Sequence, residues 1–113
     1  QDVVEWCSNF GFDKFFSNFP QGYMTLLGEE GVNISGGQKQ LVGMARALYK
    51  EPAFLLIDEG TSAMDRETER FVLDLLQKVK KDMGVMIITH RQKVAFTSDQ
   101  VFKLENGETE FLG

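Results

Sequence analysis

Two short apolar runs limit what this chain can fold into: "AFLLID" at 53–58 and "VMIIT" at 85–89. Between them Phe71, Val72, Leu75, Leu76 and Val79 recur at helical spacing, an apolar stripe on a charged segment that stops by Gly84. Asp65 stands where it can cap that helix, with Glu67 in the first turn. Continuous apolar runs this short, bounded by loop signals, suit strands buried on both faces. Strands separated by helices indicate an α/β domain with a mostly parallel sheet.

The flanking segments fit around that unit. Residues 2–10 read as the tail of a helix, with Val3, Trp6, Cys7 and Phe10 at helical spacing and Gly11 as its stop. In "FDKFFSNFPQGY", Phe12, Phe15, Phe16 and Phe19 fit a short helix ended by Pro20. These aromatics suit a small satellite core, the alternative being an aromatic surface for a partner. "TLLGEEGVN" at 25–33 is a glycine-punctuated loop. From Ser35 the pattern is helical, with Leu41, Met44, Ala45 and Leu48 on one face, until Pro52 disfavours helical geometry at Glu51. "QVFKL" and "ETEFL", joined through Asn106 and Gly107, read as a closing hairpin with a type I′ turn.

Composition excludes some functions. A net charge of −5 argues against a nucleic-acid surface, which needs clustered Lys and Arg. The Lys78, Lys80, Lys81 patch falls late in a helix, where it complements the helix dipole. A single cysteine, Cys7, forms no intrachain disulfide and suits a reducing compartment. No secretory signal opens the chain, and no apolar run approaches the roughly 20 residues that span a bilayer, so the chain reads as soluble.

Three motifs carry chemistry. In "SGGQ" at 35–38, a capping box would employ Ser35 and Gln38. It leaves Gly36 and Gly37 unexplained, since glycine is a poor choice for a first helical turn. Glycines are expected where something must approach the backbone closely. A helix N-terminus with free N–H groups makes phosphate a natural candidate. In "FLLIDEG", the strand delivers Asp58 and Glu59 to the carboxyl edge of a sheet, where α/β ligands bind. The first carboxylate can hold Mg²⁺ through water, and the second can orient or deprotonate a water. The plainer account is an exposed acidic pair. His90, the only histidine, follows a strand expected beside the one bearing Asp58 and Glu59, within reach of a terminal phosphate.

In this order and spacing, the motifs resemble the second half of the nucleotide-binding domain of ATP-binding cassette (ABC) transporters, from about Phe19 to Gly113. "NISGGQKQLVGMARAL" is similar to the family signature and its helix, "FLLIDEGTSAMD" to the Walker B strand and D-loop, and "IITHR" to the switch-histidine loop. The resemblance implies part of a RecA-like P-loop NTPase core, with a mostly parallel sheet flanked by helices, plus part of the ABC helical subdomain. Residues 1–50 would belong to the helical subdomain and residues 51–113 to the C-terminal half of the ATPase core.

The roles that follow are those the resemblance implies. Ser35, Gly36 and Gly37 would contact the γ-phosphate of an ATP held mainly by a second, head-to-tail nucleotide-binding domain, with Gln38 near its ribose. Asp58 would support Mg²⁺ through water, and Glu59 would be the general base or water-orienting carboxylate. Asp65 would belong to the loop coupling the two sites, and His90 would sense the γ-phosphate. "TLLGEEG" is similar to an exporter segment that touches the transmembrane domains, placing the assembly at the cytoplasmic face of a membrane. The function implied is ATP hydrolysis coupled to export; a peptide or bacteriocin cargo is a guess that no residue here decides. The alternative is an ABC-type ATPase without membrane domains, as in DNA repair or translation.

Three positions depart from the family pattern. Gly60 replaces the usual alanine, which would loosen the turn; Asn33-Ile34 replaces a leucine; Leu41 replaces a frequent arginine. No G-x-x-x-x-G-K-[ST] loop occurs in the sequence. The expectation is therefore a fragment that is inactive alone and self-associates through an unpaired edge at 85–89.

Overall fold

The computed structural model describes residues 3–17 and 35–113. The expectations for Phe19, Pro20, "TLLGEEGVN" and Ile34 lie outside the described residues. Helix α1, Val3–Phe10, stops at Gly11, whose φ of +85° is left-handed. A Cβ there would also stand 3.1 Å from the Phe71 ring, so both backbone and space favour glycine. Helix α2, Asp13–Phe16, follows at once.

The aromatics of this region form part of the main core rather than a satellite. Phe12 and Phe16 are wholly buried and stack at 5.3 Å; Phe12 also stacks on Trp6 and meets Phe71 edge-on. Trp6, Cys7, Phe12 and Phe16 belong to one apolar cluster with Leu41, Leu55, Ile57 and Val72. Burying side chains of this size contributes about 1.5–3 kcal/mol each, which ties the helical first part to the strands. Cys7 lies inside this cluster, and burial pushes its thiol up to about 11, with Asp13 adding to the effect.

Helix α3, Gly36–Tyr49, starts at a complete capping box and buries Leu41, Val42, Met44, Ala45 and Leu48. Leu41, the residue standing in an arginine's place, is enclosed in the core. The helix ends before Glu51, which turns to φ +51°, and Pro52 disfavours right-handed helical geometry at that residue. Strand β1, Phe54–Asp58, runs parallel to β2, Gly84–Ile88, with α4, Arg66–Val79, as the crossover. This is the β-α-β unit expected from the two apolar runs. Pairing runs in step from Phe54 with Gly84 to Asp58 with Ile88, so both strands end at one level.

One expectation changes. β1 is buried on one face only: Leu55 and Ile57 face the helical core. On the other face Phe54, Leu56, Met86 and Ile88 are 58%, 57%, 52% and 42% exposed. An apolar run reads the same whether one layer or two covers it. Among the described residues, β2 pairs with β1 alone, leaving its far edge open as expected. Beyond the short α5, Gln92–Ala95, strands β3, Phe102–Glu105, and β4, Glu108–Phe111, form a separate antiparallel hairpin. Asn106 and Gly107 lie at φ +53° and +78°, the two positive values a type I′ turn requires. No described helix is long and apolar enough to cross a membrane.

Candidate functional site

The in-step ends of β1 and β2 bring two expected site residues together and hold them by backbone geometry. Glu59 N–H donates to the Ile88 carbonyl at 2.9 Å, continuing the ladder one step past the strand. The chain then turns sharply, with Glu59 at φ +58°. A left-handed glutamate costs on the order of 1 kcal/mol and persists only where its surroundings fix it. They do: the His90 backbone N–H donates to Glu59 Oε1 at 3.0 Å, and Gln40 Nε2 donates to the Glu59 carbonyl at 3.1 Å. Asp58, opposite Ile88, is exposed at the end of β1, and His90 is exposed just past β2.

Gly60 does not loosen this turn. A Cβ at that position would lie 2.4 Å from Ile57 Cγ2, on a β-branched side chain with little freedom to swing away. The turn is tight, and here glycine is a packing requirement.

The other expected residues lie at two helix starts. Ser35 Oγ accepts from Gln38 N–H at 3.1 Å, while Ser35 N–H donates to Gln38 Oε1 at 2.9 Å. Both polar side chains are thus occupied in the reciprocal cap. Gly36 is exposed, whereas Gly37 is buried, and a Cβ on Gly37 would meet the Ala63 carbonyl oxygen at 2.5 Å and Met64 Cα at 3.0 Å. So the backbone that approaches Gly37 is the chain's own loop between β1 and α4. Gly36 is exposed to solvent, although a Cβ there would stand 3.3 Å from Ala63 Cβ. Asp65, at the end of that loop, accepts from Thr68 N–H at 2.8 Å, and the Thr68 hydroxyl together with this amide holds its carboxyl below the usual carboxylate range.

Two groups of residues escaped the sequence reading. Gln40, one turn into α3, bonds to Glu59, Ser62 and Ala63. Arg91 forms a two-pronged ion pair with Glu69 on α4, and the Arg91 guanidinium and the buried Thr61 hydroxyl hold the Glu69 carboxyl below its ordinary range. Arg91 N–H also donates to Thr89 Oγ1 at 3.0 Å, so the segment around His90 is anchored on both sides. Both arrangements join residues about 20 positions apart; no local spacing signals them. A small hint lay in Gln40 itself, an amide at the start of a helix whose neighbours on one face are apolar.

Chemically, the strand end offers two carboxylates and an imidazole, and the start of α3 is a helix N-terminus of the kind that binds anions. Among the described residues no cluster of three or more His, Cys, Asp or Glu could chelate an ion. A lone exposed carboxylate such as Asp58 fits Mg²⁺, which keeps several waters and takes phosphate oxygens for other ligands.

Comparison with known proteins places the chain in a family. The chain is 45% identical over 101 residues to the mitochondrial potassium channel ATP-binding subunit of Xenopus tropicalis, covering 89% of this chain and 15% of that protein. It is 39% identical over 113 residues to multidrug resistance protein pgp-1 of Caenorhabditis elegans, covering all of this chain and 9% of that protein. In three dimensions it matches a bacterial Atm1-family ABC exporter with ATP bound at a TM-score of 0.77 and 36% identity, over 95% of this chain and 19% of the other. The chain thus spans a minor part of each relative's length. The sequence model of the ABC transporter family matches residues 6–62, just over half of the chain, and we conclude that the chain belongs to the ABC transporter family.

Proposed function

We propose that this chain is part of the ATP-hydrolysing portion of an ABC exporter, with residues 1–50 in the helical subdomain and 51–113 in the ATPase core. The observation that carries the reading is the hydrogen bond from the His90 amide to Glu59 Oε1, at the common end of two parallel strands. It holds a carboxylate at the sheet edge where a nucleotide's terminal phosphate would lie. In that reading Glu59 accepts a proton from, or orients, the attacking water, and His90 donates to the γ-phosphate. Asp58 would hold Mg²⁺ through water, and the ion would offset negative charge on the phosphates.

Ser35, Gly36, Gly37 and Gln38 would complete the ATP site of a second, head-to-tail nucleotide-binding domain, and Asp65 would lie in the loop between the two sites. Closure around ATP would drive membrane domains at the cytoplasmic face, because ATP binds the closed state better than the open one. The likeness to a multidrug resistance protein and to an exporter favours this over an ATPase without membrane domains.

The test is Glu59→Gln in the whole transporter. ATP-dependent closure is expected to survive while hydrolysis falls by about 10²- to 10⁴-fold, the ordinary contribution of a general base. Turnover near the wild-type rate would remove Glu59 from that role.

A further inference from the structure

We infer that Gln40 is a positioning residue for hydrolysis, holding the Glu59 turn in its working shape from the body of the signature helix. The inference rests on the proposed role of Glu59. Gln40 Nε2 donates to the Glu59 carbonyl and to Ser62 Oγ, both at 3.1 Å, and Gln40 Oε1 accepts from Ala63 N–H at 3.0 Å. Both amide hydrogens and the amide oxygen are thereby engaged. The partners also fix which way the amide points: a backbone carbonyl only accepts, and a backbone N–H only donates.

What this side chain grips is specific. It spans the loop from Glu59 to Ala63, the stretch where Glu59 takes its left-handed turn. Ala63 is held from two directions, its N–H by Gln40 and its carbonyl oxygen flush against Gly37. The first turns of α3 and the Glu59 turn therefore cannot shift independently. Gln40 touches no reacting atom in this arrangement. Its effect passes through the backbone of Glu59, whose carboxylate is fixed at the far side by the His90 amide. Losing the carbonyl contact frees the turn to relax toward ordinary backbone geometry and carries the carboxylate away from its place.

Gln40→Met in the whole transporter removes all three hydrogen bonds at nearly unchanged side-chain length. We expect kcat for ATP hydrolysis to fall by about ten- to a hundredfold, with KM for ATP changed by less than about threefold, as for a misplaced catalytic group. Gln40→Glu keeps an acceptor for Ala63 N–H but turns a carboxylate oxygen on the Glu59 carbonyl, so it should hydrolyse no faster than the methionine variant. In a Glu59→Gln background, Gln40→Met should have no further effect on the residual rate. Wild-type kcat in Gln40→Met, or an undiminished effect without the Glu59 carboxylate, would overturn the inference. Failure of both variants to fold would also overturn it, by making Gln40 a structural residue. Wild-type hydrolysis insensitive to Glu59→Gln would instead sink the reading of the site itself, and that control is measured first.

Discussion

Helices α3 and α4 both begin with a side chain that accepts from the amide three residues on: Ser35 from Gln38 at 3.1 Å and Asp65 from Thr68 at 2.8 Å. After the cap they diverge. Helix α4 continues through Arg66 and Glu67, exposed residues with ordinary side chains. Helix α3 continues through two glycines, one of them pressed against the backbone of Ala63 and Met64. The cap decides where a helix starts, while its neighbours decide which side chains the first turn can carry. At α3 the two glycines meet different surroundings: Gly37 makes room for the chain's own loop, and Gly36 lies exposed, where the proposed function puts a ligand.

The largest effect expected from that contrast is at Gly37. In Gly37→Ala the new methyl meets a backbone oxygen that cannot swing aside, so α3 or the loop must move. Stability should fall by about 1–3 kcal/mol, read from urea unfolding of the purified chain. A midpoint equal to wild type would show that the loop does not sit on this glycine. Gly36→Ala should behave differently. Its methyl would stand 3.3 Å from the Ala63 Cβ, tight by a few tenths of an ångström, and alanine's better helix propensity offsets that strain. The unfolding free energy should stay within about 0.5 kcal/mol of wild type, whereas ATP hydrolysis by the whole transporter should drop. If Gly36→Ala hydrolysed normally, no ligand would need to approach the backbone at this exposed glycine.

The smallest effect concerns the caps themselves. Asp65 titrates and Ser35 does not. Hydrogen bonds from the Thr68 hydroxyl and amide depress the folded pKa of Asp65, so its contribution is full above the ordinary carboxylate pKa and is lost as pH falls through the folded value. Protection of the Thr68 amide, with exchange corrected for the intrinsic rate, should therefore fall on acidification below about pH 4, while that of Gln38, corrected in the same way, should not. Parallel behaviour of the two amides would erase the distinction between the caps.

How far such features could be read in advance follows from the range of the interaction that makes them. The Ser35–Gln38 box, the Asp65 cap and the Asn106-Gly107 turn depend on residues three or fewer positions apart, and each is visible in the sequence. The parallel pairing of β1 with β2 follows from an intervening helix that leaves a crossover as the connection. By contrast, the Gln40 contacts bridge 19 to 23 positions and the Arg91–Glu69 pair bridges 22. Phe54 and Leu56 are exposed in this chain, which spans a minor part of its relatives' length, and hydrophobicity alone does not report which layers the chain itself supplies. Gly60 was taken as slack, and only the position of Ile57 shows that the turn has none to give.

The left-handed backbone at Glu59 also narrows the routes by which this position can change over generations. Asn, Asp and Gly settle into that conformation with least penalty, whereas β-branched residues are strongly disfavoured there. A lineage relieved of selection for the carboxylate would thus drift first toward this short roster, and Val or Ile would signal that the loop itself had been rebuilt.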